Sequence, residues 1–201
     1  MKLDLESGAE LGGHDRSDFV VWQMHRRAHL RNGGGRREVA LPMAEMIIAC
    51  AKKSLAEVAD LFREYADWLA VDLCAGNIER EVAGLPGLYG PPDGCLLLAR
   101  RERQAVGCVA LRRFDDDTCE MKRLYVRPAF IGLGIGRALA ATIIEEARRL
   151  GYRKMRLDTI ADRMTEAVSL YRALGFREIP PYGDHPEGCS LFMELDLRIV
   201  R

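Results

Sequence analysis

The sequence predicts an α/β (α+β) domain: a mixed sheet with helices packed against it. Three observations carry this. A short apolar run at Met46 is followed by an amphipathic stretch with helical spacing. Three strand-like runs then follow, separated by short charged turns. Finally a glycine run enters a long amphipathic helix, after which strands alternate with a second helix to the carboxyl end.

Residues 1–44 differ from the rest. They hold Gly12-Gly13, Gly33-Gly34-Gly35, the pairs Arg26-Arg27 and Arg36-Arg37, and one apolar patch running from Phe19 to Trp22. They read as a flexible N-terminal extension, with a marginal helix over 18–31 that the glycine run ends. Residues 45–201 form the domain. Residues 46–51 suit a buried strand. Ser54 opens a helix with Glu57 three residues on, a capping box. Leu55, Val58, Ala59, Phe62, Tyr65, Ala66 and Leu69 follow at helical spacing. Asn77 caps a second short helix through Val82, and 84–94, with Pro86, Pro91 and Pro92, is a loop. Strands over 95–99, 105–113 and 119–126 make an antiparallel meander, with Asp115-Asp116-Asp117 at its second turn. A helix over 136–150 buries Leu139, Ala140, Ile143, Ile144, Ala147 and Leu150, and Gly151 ends it. A strand over 155–158, a helix over 164–174 closed by Gly175, and strands over 176–179 and 190–197 complete the chain.

At 201 residues the chain is one domain, and 48% apolar with 30% charged residues is a globular composition. Thirty basic and thirty acidic residues cancel, which argues against bulk attraction to nucleic acid. No stretch reaches the roughly 20 apolar residues of a membrane helix, so neither nucleic acid nor membrane is an expected partner. The acids of MKLDLESGAELGG stand where a signal peptide carries its apolar core, so a cytoplasmic location is expected. Cys50, Cys74, Cys95, Cys108, Cys119 and Cys189 show no CxxC or paired spacing and read as buried, reduced thiols. His14, His25 and His29 lie away from any such cluster, so no metal site is expected.

The chemistry centres on Gly132-x-Gly134-x-Gly136. Glycines let a backbone approach a phosphate closely, and the N–H groups of a helix's first turn, with its dipole, favour an anion there. A P-loop would need Gly-Lys-Ser/Thr, whereas Arg137-Ala138-Leu139 follows here. A dinucleotide fingerprint needs GxGxxG directly after a strand, and the spacing here is GxGxG behind Arg127-Pro128-Ala129-Phe130-Ile131.

The run Cys119-Glu120-Met121-Lys122-Arg123-Leu124-Tyr125-Val126-Arg127-Pro128, followed by Gly132-x-Gly134-Ile135-Gly136-Arg137-Ala138-Leu139, resembles the acetyl-coenzyme A (acetyl-CoA) motif of the GNAT superfamily of N-acetyltransferases. Ala167-x-x-Leu170-Tyr171-x-x-x-Gly175-Phe176 is similar to that superfamily's second signature. The resemblance spans about residues 46–198. It implies a GNAT-like mixed, mostly antiparallel central sheet flanked by helices, and an acyltransferase that moves an acetyl group from acetyl-CoA to a primary amine, small molecule or peptide, by direct transfer. It further implies that Leu124, Tyr125 and Val126 pair with the pantetheine arm, one of their N–H groups facing the thioester oxygen. Ile131, Gly132, Leu133, Gly134, Ile135, Gly136 and Arg137 would cradle the pyrophosphate. Tyr171 takes the place of a general acid, and Glu120 that of a general base. Two positions depart from the pattern: Ile131 stands where Arg or Gln is usual, and Met164 where many members have Asn. They favour the alternative of a catalytically weak acyl-CoA sensor. Exposed strand edges at the carboxyl end are compatible with a homodimer.

These residue types suit the reaction. A lysine-like amine of pKa about 10.4 costs roughly 4.6 kcal/mol to deprotonate at pH 7, and a carboxylate such as Glu120 can accept the proton. The oxyanion formed on attack needs a fixed donor, which a strand N–H supplies. A phenol eases departure of the thiolate. Lys122 and Arg123 read as surface charges, and His185, in the loop Tyr182-Gly183-Asp184-His185-Pro186-Glu187, either lines the acceptor end or decorates a turn.

Overall fold

A computed structural model describes residues 5–6, 19–32, 35–42, 46–69, 72–183 and 190–198. Its strands are β1 (Leu5–Glu6), β2 (Phe19–Asn32), β3 (Gly35–Pro42), β4 (Met46–Cys50), β5 (Cys95–Arg101), β6 (Gln104–Arg113), β7 (Thr118–Val126), β8 (Lys154–Thr159), β9 (Arg177–Ile179) and β10 (Leu191–Asp196). Its helices are α1 (Leu55–Leu69), α2 (Asp72–Ala83), α3 (Ile135–Arg149) and α4 (Thr165–Leu174). Seven strands form the sheet that carries the domain, in the order β4-β5-β6-β7-β8-β10-β9. Every neighbouring pair is antiparallel except β7 with β8, which run parallel across the connection through α3. The mixed, mostly antiparallel sheet expected from the sequence is therefore present.

Strand β5 shows how the layers are stacked. Cys95, Leu97 and Ala99 point into one core with Val109, Leu111, Met121, Leu139, Ile143, Met155 and Met193. Leu96 and Leu98, the intervening residues, point into a second core with Val58, Leu61, Phe62, Cys108 and Ala110. Side chains alternate across a strand, so a strand apolar at every position needs cover on both faces. Here α3 covers one and α1 the other. Leu61, Phe62, Leu139 and Ile143 have essentially no exposed surface, and each such burial is worth about 1.5–3 kcal/mol.

Two expected elements differ. The stretch expected as a helix over 18–31 is β2: Phe19-Val20-Val21-Trp22 is aromatic and β-branched, which suits a pleated strand, and Phe19–Trp22 pair with β4. Asn77 lies inside α2 rather than at its start. Gly76 and Asn77 are poor helix formers at about 1 kcal/mol or less each. Tertiary contacts outweigh this: Ile78 is buried in the α1-side core and Glu79 takes the Arg63 guanidinium at 2.9 Å. At the start of α1, the side chains of Ser54 and Glu57, expected as a capping pair, together hold Arg100 of β5 and fix the helix to the sheet. Cys50, Cys95, Cys108 and Cys119 are free thiols, and burial pushes Cys95 and Cys119 up to about 12. Cys74 and Cys189 fall outside the described side chains.

Candidate active site

The site starts from an irregularity in β7. Cys108 faces Tyr125 across the ladder, yet Ala110 faces Lys122, so Arg123 and Leu124 together oppose Val109. This is a β-bulge, and Arg123 takes the left-handed conformation at φ 57°. Such a conformation costs a non-glycine residue about 1–2 kcal/mol. Helix α2 offsets it: Glu81 receives Nε of Arg123 at 3.0 Å and Nη2 at 2.5 Å. Tyr89 donates to the same carboxylate at 2.6 Å. Burial opposes charge on Glu81, but the hydrogen-bonded Arg123 holds its carboxyl below the usual range.

The bulge coincides with a fork. Strand β8 pairs with β7 only through Thr118, Cys119 and Glu120. Beyond them the strands diverge, leaving the β8-facing edge of Leu124, Tyr125 and Val126 without a ladder partner among the described residues. The fork opens into a cleft of about 550 Å³. Its floor is Leu124–Val126, its far end the start of α3, and its sides are the start of α4 and Tyr65 and Trp68 of α1.

At the far end, Gly132 and Gly134 have φ of 81° and 80°, values open to glycine and strained for other residues. They fold the loop so that the first-turn amides of α3, including Ile135, Gly136 and Arg137, meet the cleft. Leu133 instead packs its side chain against the α3-side core and anchors the loop. Ile131, 52% exposed, forms the apolar rim. Met164 is the N-cap of α4 with no side-chain cap bond; its sulfur accepts from the Thr159 hydroxyl at 3.3 Å and faces the Tyr65 hydroxyl at 4.0 Å. Arg163 donates to the carbonyl of Leu69 at 2.6 Å, tying the α4 entrance to the end of α1.

The two expected catalytic side chains lie in different settings. Tyr171 is buried in the α3-side core beside Phe176, ring centroids 5.8 Å apart. Ala167 and Leu170 form the α4 wall of the cleft, and Tyr171 follows Leu170 on the same helix. Burial pushes its phenol up, so it stays protonated through the physiological range. Glu120 lies on the opposite, α1-facing side of β7, its side chain 5% exposed. Its Oε2 accepts from Nε of Arg112 at 2.6 Å, and its Oε1 from the Tyr182 hydroxyl at 3.1 Å and Nζ of Lys122 at 3.5 Å. Lys122 bridges the fork to Asp158 of β8 at 2.5 Å.

Lys122 and Arg123, expected at the surface, are therefore largely buried ion-pair partners, with side chains 17% and 14% exposed. Each sits on the bulged strand, where a carboxylate from another element meets it. Arg112, Asp158, Tyr182 and Tyr65 were not singled out as site residues. The alternation Lys154-Met155-Arg156-Leu157-Asp158 carries the signal that one face of β8 is charged, but not what that face meets. His185 lies outside the described residues. Among the described residues, no three His, Cys, Asp or Glu side chains are grouped to hold a metal, and no helix is long and apolar enough to cross a membrane.

Comparisons with known proteins agree with this geometry. Residues 55–176 match the model of the acetyltransferase (GNAT) family. An uncharacterized N-acetyltransferase of Schizosaccharomyces pombe is 42% identical over 139 residues, 68% of this chain and 85% of the relative. A GNAT-family acetyltransferase of Staphylococcus aureus superposes with a TM-score of 0.67 at 21% identity, over 76% of this chain and 99% of that one. A putative acetyltransferase of Salmonella typhimurium, solved with acetyl-CoA, gives a TM-score of 0.56 at 23% identity, over 76% and 94%. With a family match over more than half its length and the forked sheet that match implies, the chain belongs to the GNAT family and is an acyltransferase.

Proposed function

We propose that the protein transfers an acetyl group from acetyl-CoA directly to a primary amine of a small molecule or peptide, in the cytoplasm and without a covalent enzyme intermediate. One observation carries this: unpaired backbone edges of a bulged strand and the uncapped start of a helix line one cleft. A pantetheine arm fits along Leu124–Val126 as an extra strand, and a pyrophosphate fits the amides from Gly132 to Arg137. Neither contact needs the side chain at position 131, so Ile131 leaves them in place.

In the reaction, the free amine nitrogen attacks the thioester carbon and a C–N bond forms. Negative charge on the carbonyl oxygen is met by a strand N–H. The C–S bond then breaks, and sulfur leaves with its electron pair. The ammonium proton passes to Glu120, directly or through the Tyr182 hydroxyl that donates to it. Tyr171, protonated by virtue of its burial, returns a proton to the thiolate. The products are an amide and free CoA.

A second reading, an acyl-CoA sensor without turnover, draws on Met164, which leaves the α4 start without a side-chain cap. Calorimetric titration with acetyl-CoA, with NAD and ATP as controls, tests the shared part of both readings. One-to-one binding of acetyl-CoA alone is expected; binding of NAD or ATP in its place would overturn both. Amine-dependent release of CoA thiol separates transferase from sensor.

A further inference from the structure

The α1-facing side of the sheet beyond the fork carries an arrangement that binding acetyl-CoA does not explain. In register across five strands stand Arg112 of β6, Glu120 of β7, Arg156 of β8, Glu194 of β10 and Arg177 of β9. The signs alternate at every step. Within this row Arg112 reaches Glu120 at 2.6 Å and Arg156 reaches Glu194 at 2.8 Å. One pleat along, Lys122 and Asp158 repeat the alternation. Opposite charges in register stabilise a sheet by only about 0.2–1 kcal/mol per pair, and half-burying them opposes that gain. Stability alone is a weak reason for such a row beside the reacting centre.

Arg156 is held with particular care. Its guanidinium lies 5.4 Å from the Phe114 ring centroid and 5.1 Å from that of Tyr182. Its Nε is committed to Glu194, and among the described residues its Nη groups have no hydrogen-bonded acceptor. Tyr182, stacked on it, donates to Glu120. The guanidinium edge and the carboxylate are thus parts of one rigid unit, with the Arg156 side chain still 22% exposed. A fixed, planar, accessible guanidinium is suited to bidentate carboxylate recognition.

We infer that the acceptor is an amine carrying its own carboxylate, a free amino acid or close analogue, read by this row as a zwitterion. Its ammonium lies over Glu120 and its carboxylate meets Arg156. Glu120 and Arg156 stand in register on adjacent strands, so their side chains offer an anion and a cation to the two charged ends of one small molecule. The ammonium loses one proton to Glu120, which passes it to solvent, before the nitrogen attacks, and a second to Glu120 after it. The N–C bond forms, the C–S bond breaks and Tyr171 protonates the thiolate, so the product keeps its carboxylate and loses the positive charge that Glu120 attracted. This rests on the acyl-transfer reading but adds the acceptor's chemical class to it.

The test uses the full chain, acetyl-CoA and matched trios: alanine, alaninamide and ethylamine; phenylalanine, phenylalaninamide and phenethylamine; aspartate and its amides. Thiol release gives kcat/KM for each. The acid in at least one trio is expected to exceed its amide and its decarboxylated amine by tenfold or more. The amide has more free amine at neutral pH than the acid, so such a preference cannot come from deprotonation. R156Q is expected to raise KM for the acid about tenfold with little change for the amide, and R156K to recover part of the loss. Equal use of acid and amide, or an equal loss for both in R156Q, would overturn the inference while leaving acyl transfer intact. Calorimetry of the CoA-loaded protein with the same trios gives a readout without turnover. Binding of the acid with no thiol release would support the zwitterion site and sink the transferase reading instead.

Discussion

The two faces of strands β6, β7, β8 and β10 are built from the same alternating sequences and do opposite work. Toward α3 they present Leu111, Cys119, Met121, Met155, Leu157, Met193 and Leu195, all closely packed. Toward the α1 side, one residue along in each strand, they present Arg112, Glu120, Lys122, Arg156, Asp158 and Glu194. The first face supplies burial and stability. The second is ion-paired at a desolvation cost that a purely structural surface would avoid. The difference teaches that function here is written in the phase of the strands: one period of alternation fixes both the core and the chemistry.

Substitutions can break or sharpen this contrast. The largest expected effect lies at the junction of the two regions. Gly134→Val places a β-branched residue at φ 80° in the loop entering α3. It should weaken acetyl-CoA binding at least 100-fold by calorimetry while circular dichroism stays native. Leu139→Ala empties space on the apolar face, where the side chain is fully buried. It should cost about 2–5 kcal/mol in denaturant unfolding and leave kcat of the folded fraction close to wild type.

Glu81→Gln tests the ion pair that pins the bulge. A loss of about 1.5–3 kcal/mol is expected, together with a changed pH profile. The Glu81 pKa is lowered on folding, so its contribution is present above its unfolded value of about 4.5 and fades as pH falls through the lower folded value. Unfolding titrations should show that acid-side loss in the wild type and a shallower one in the variant. Tyr171→Phe should have the smallest effect. Its ring is buried beside Phe176, so kcat should fall about tenfold, below the usual range for acid catalysis. Stability and acetyl-CoA affinity should hold. An unchanged kcat would remove the general-acid role and leave the fold untouched.

Much of the fold was legible because its signals are local. The helical spacing of Leu139, Ile143 and Ala147, and glycine at 151 and 175, fix two helices with their ends, and both glycines take positive φ. The glycine run placed one end of the cleft for the same reason, the end proposed to take the pyrophosphate. Less local features were missed. Asn77 suggests a helix start, yet burial of Ile78 carries α2 through it. Lys122 and Arg123 read as solvated because nothing near them in sequence shows that Asp158 and Glu81, more than 30 residues away, will meet them. The β7 bulge left no composition signal either, since Arg123 is an unusual residue for a left-handed position. What the alternation does record, in 154–158, is which residues share a face, and only the sheet order turns that into a charged row.

Glu120→Gln offers the most direct test, because Gln keeps the shape and one accepting oxygen, facing Arg112 or Tyr182, while losing the charge. We would measure amine-dependent release of CoA thiol alongside acetyl-CoA binding. The account predicts a fall in kcat of about 100-fold with affinity for acetyl-CoA unchanged. Turnover at the wild-type rate would contradict it, showing that the charged face holds the sheet together and the amine reacts without its help.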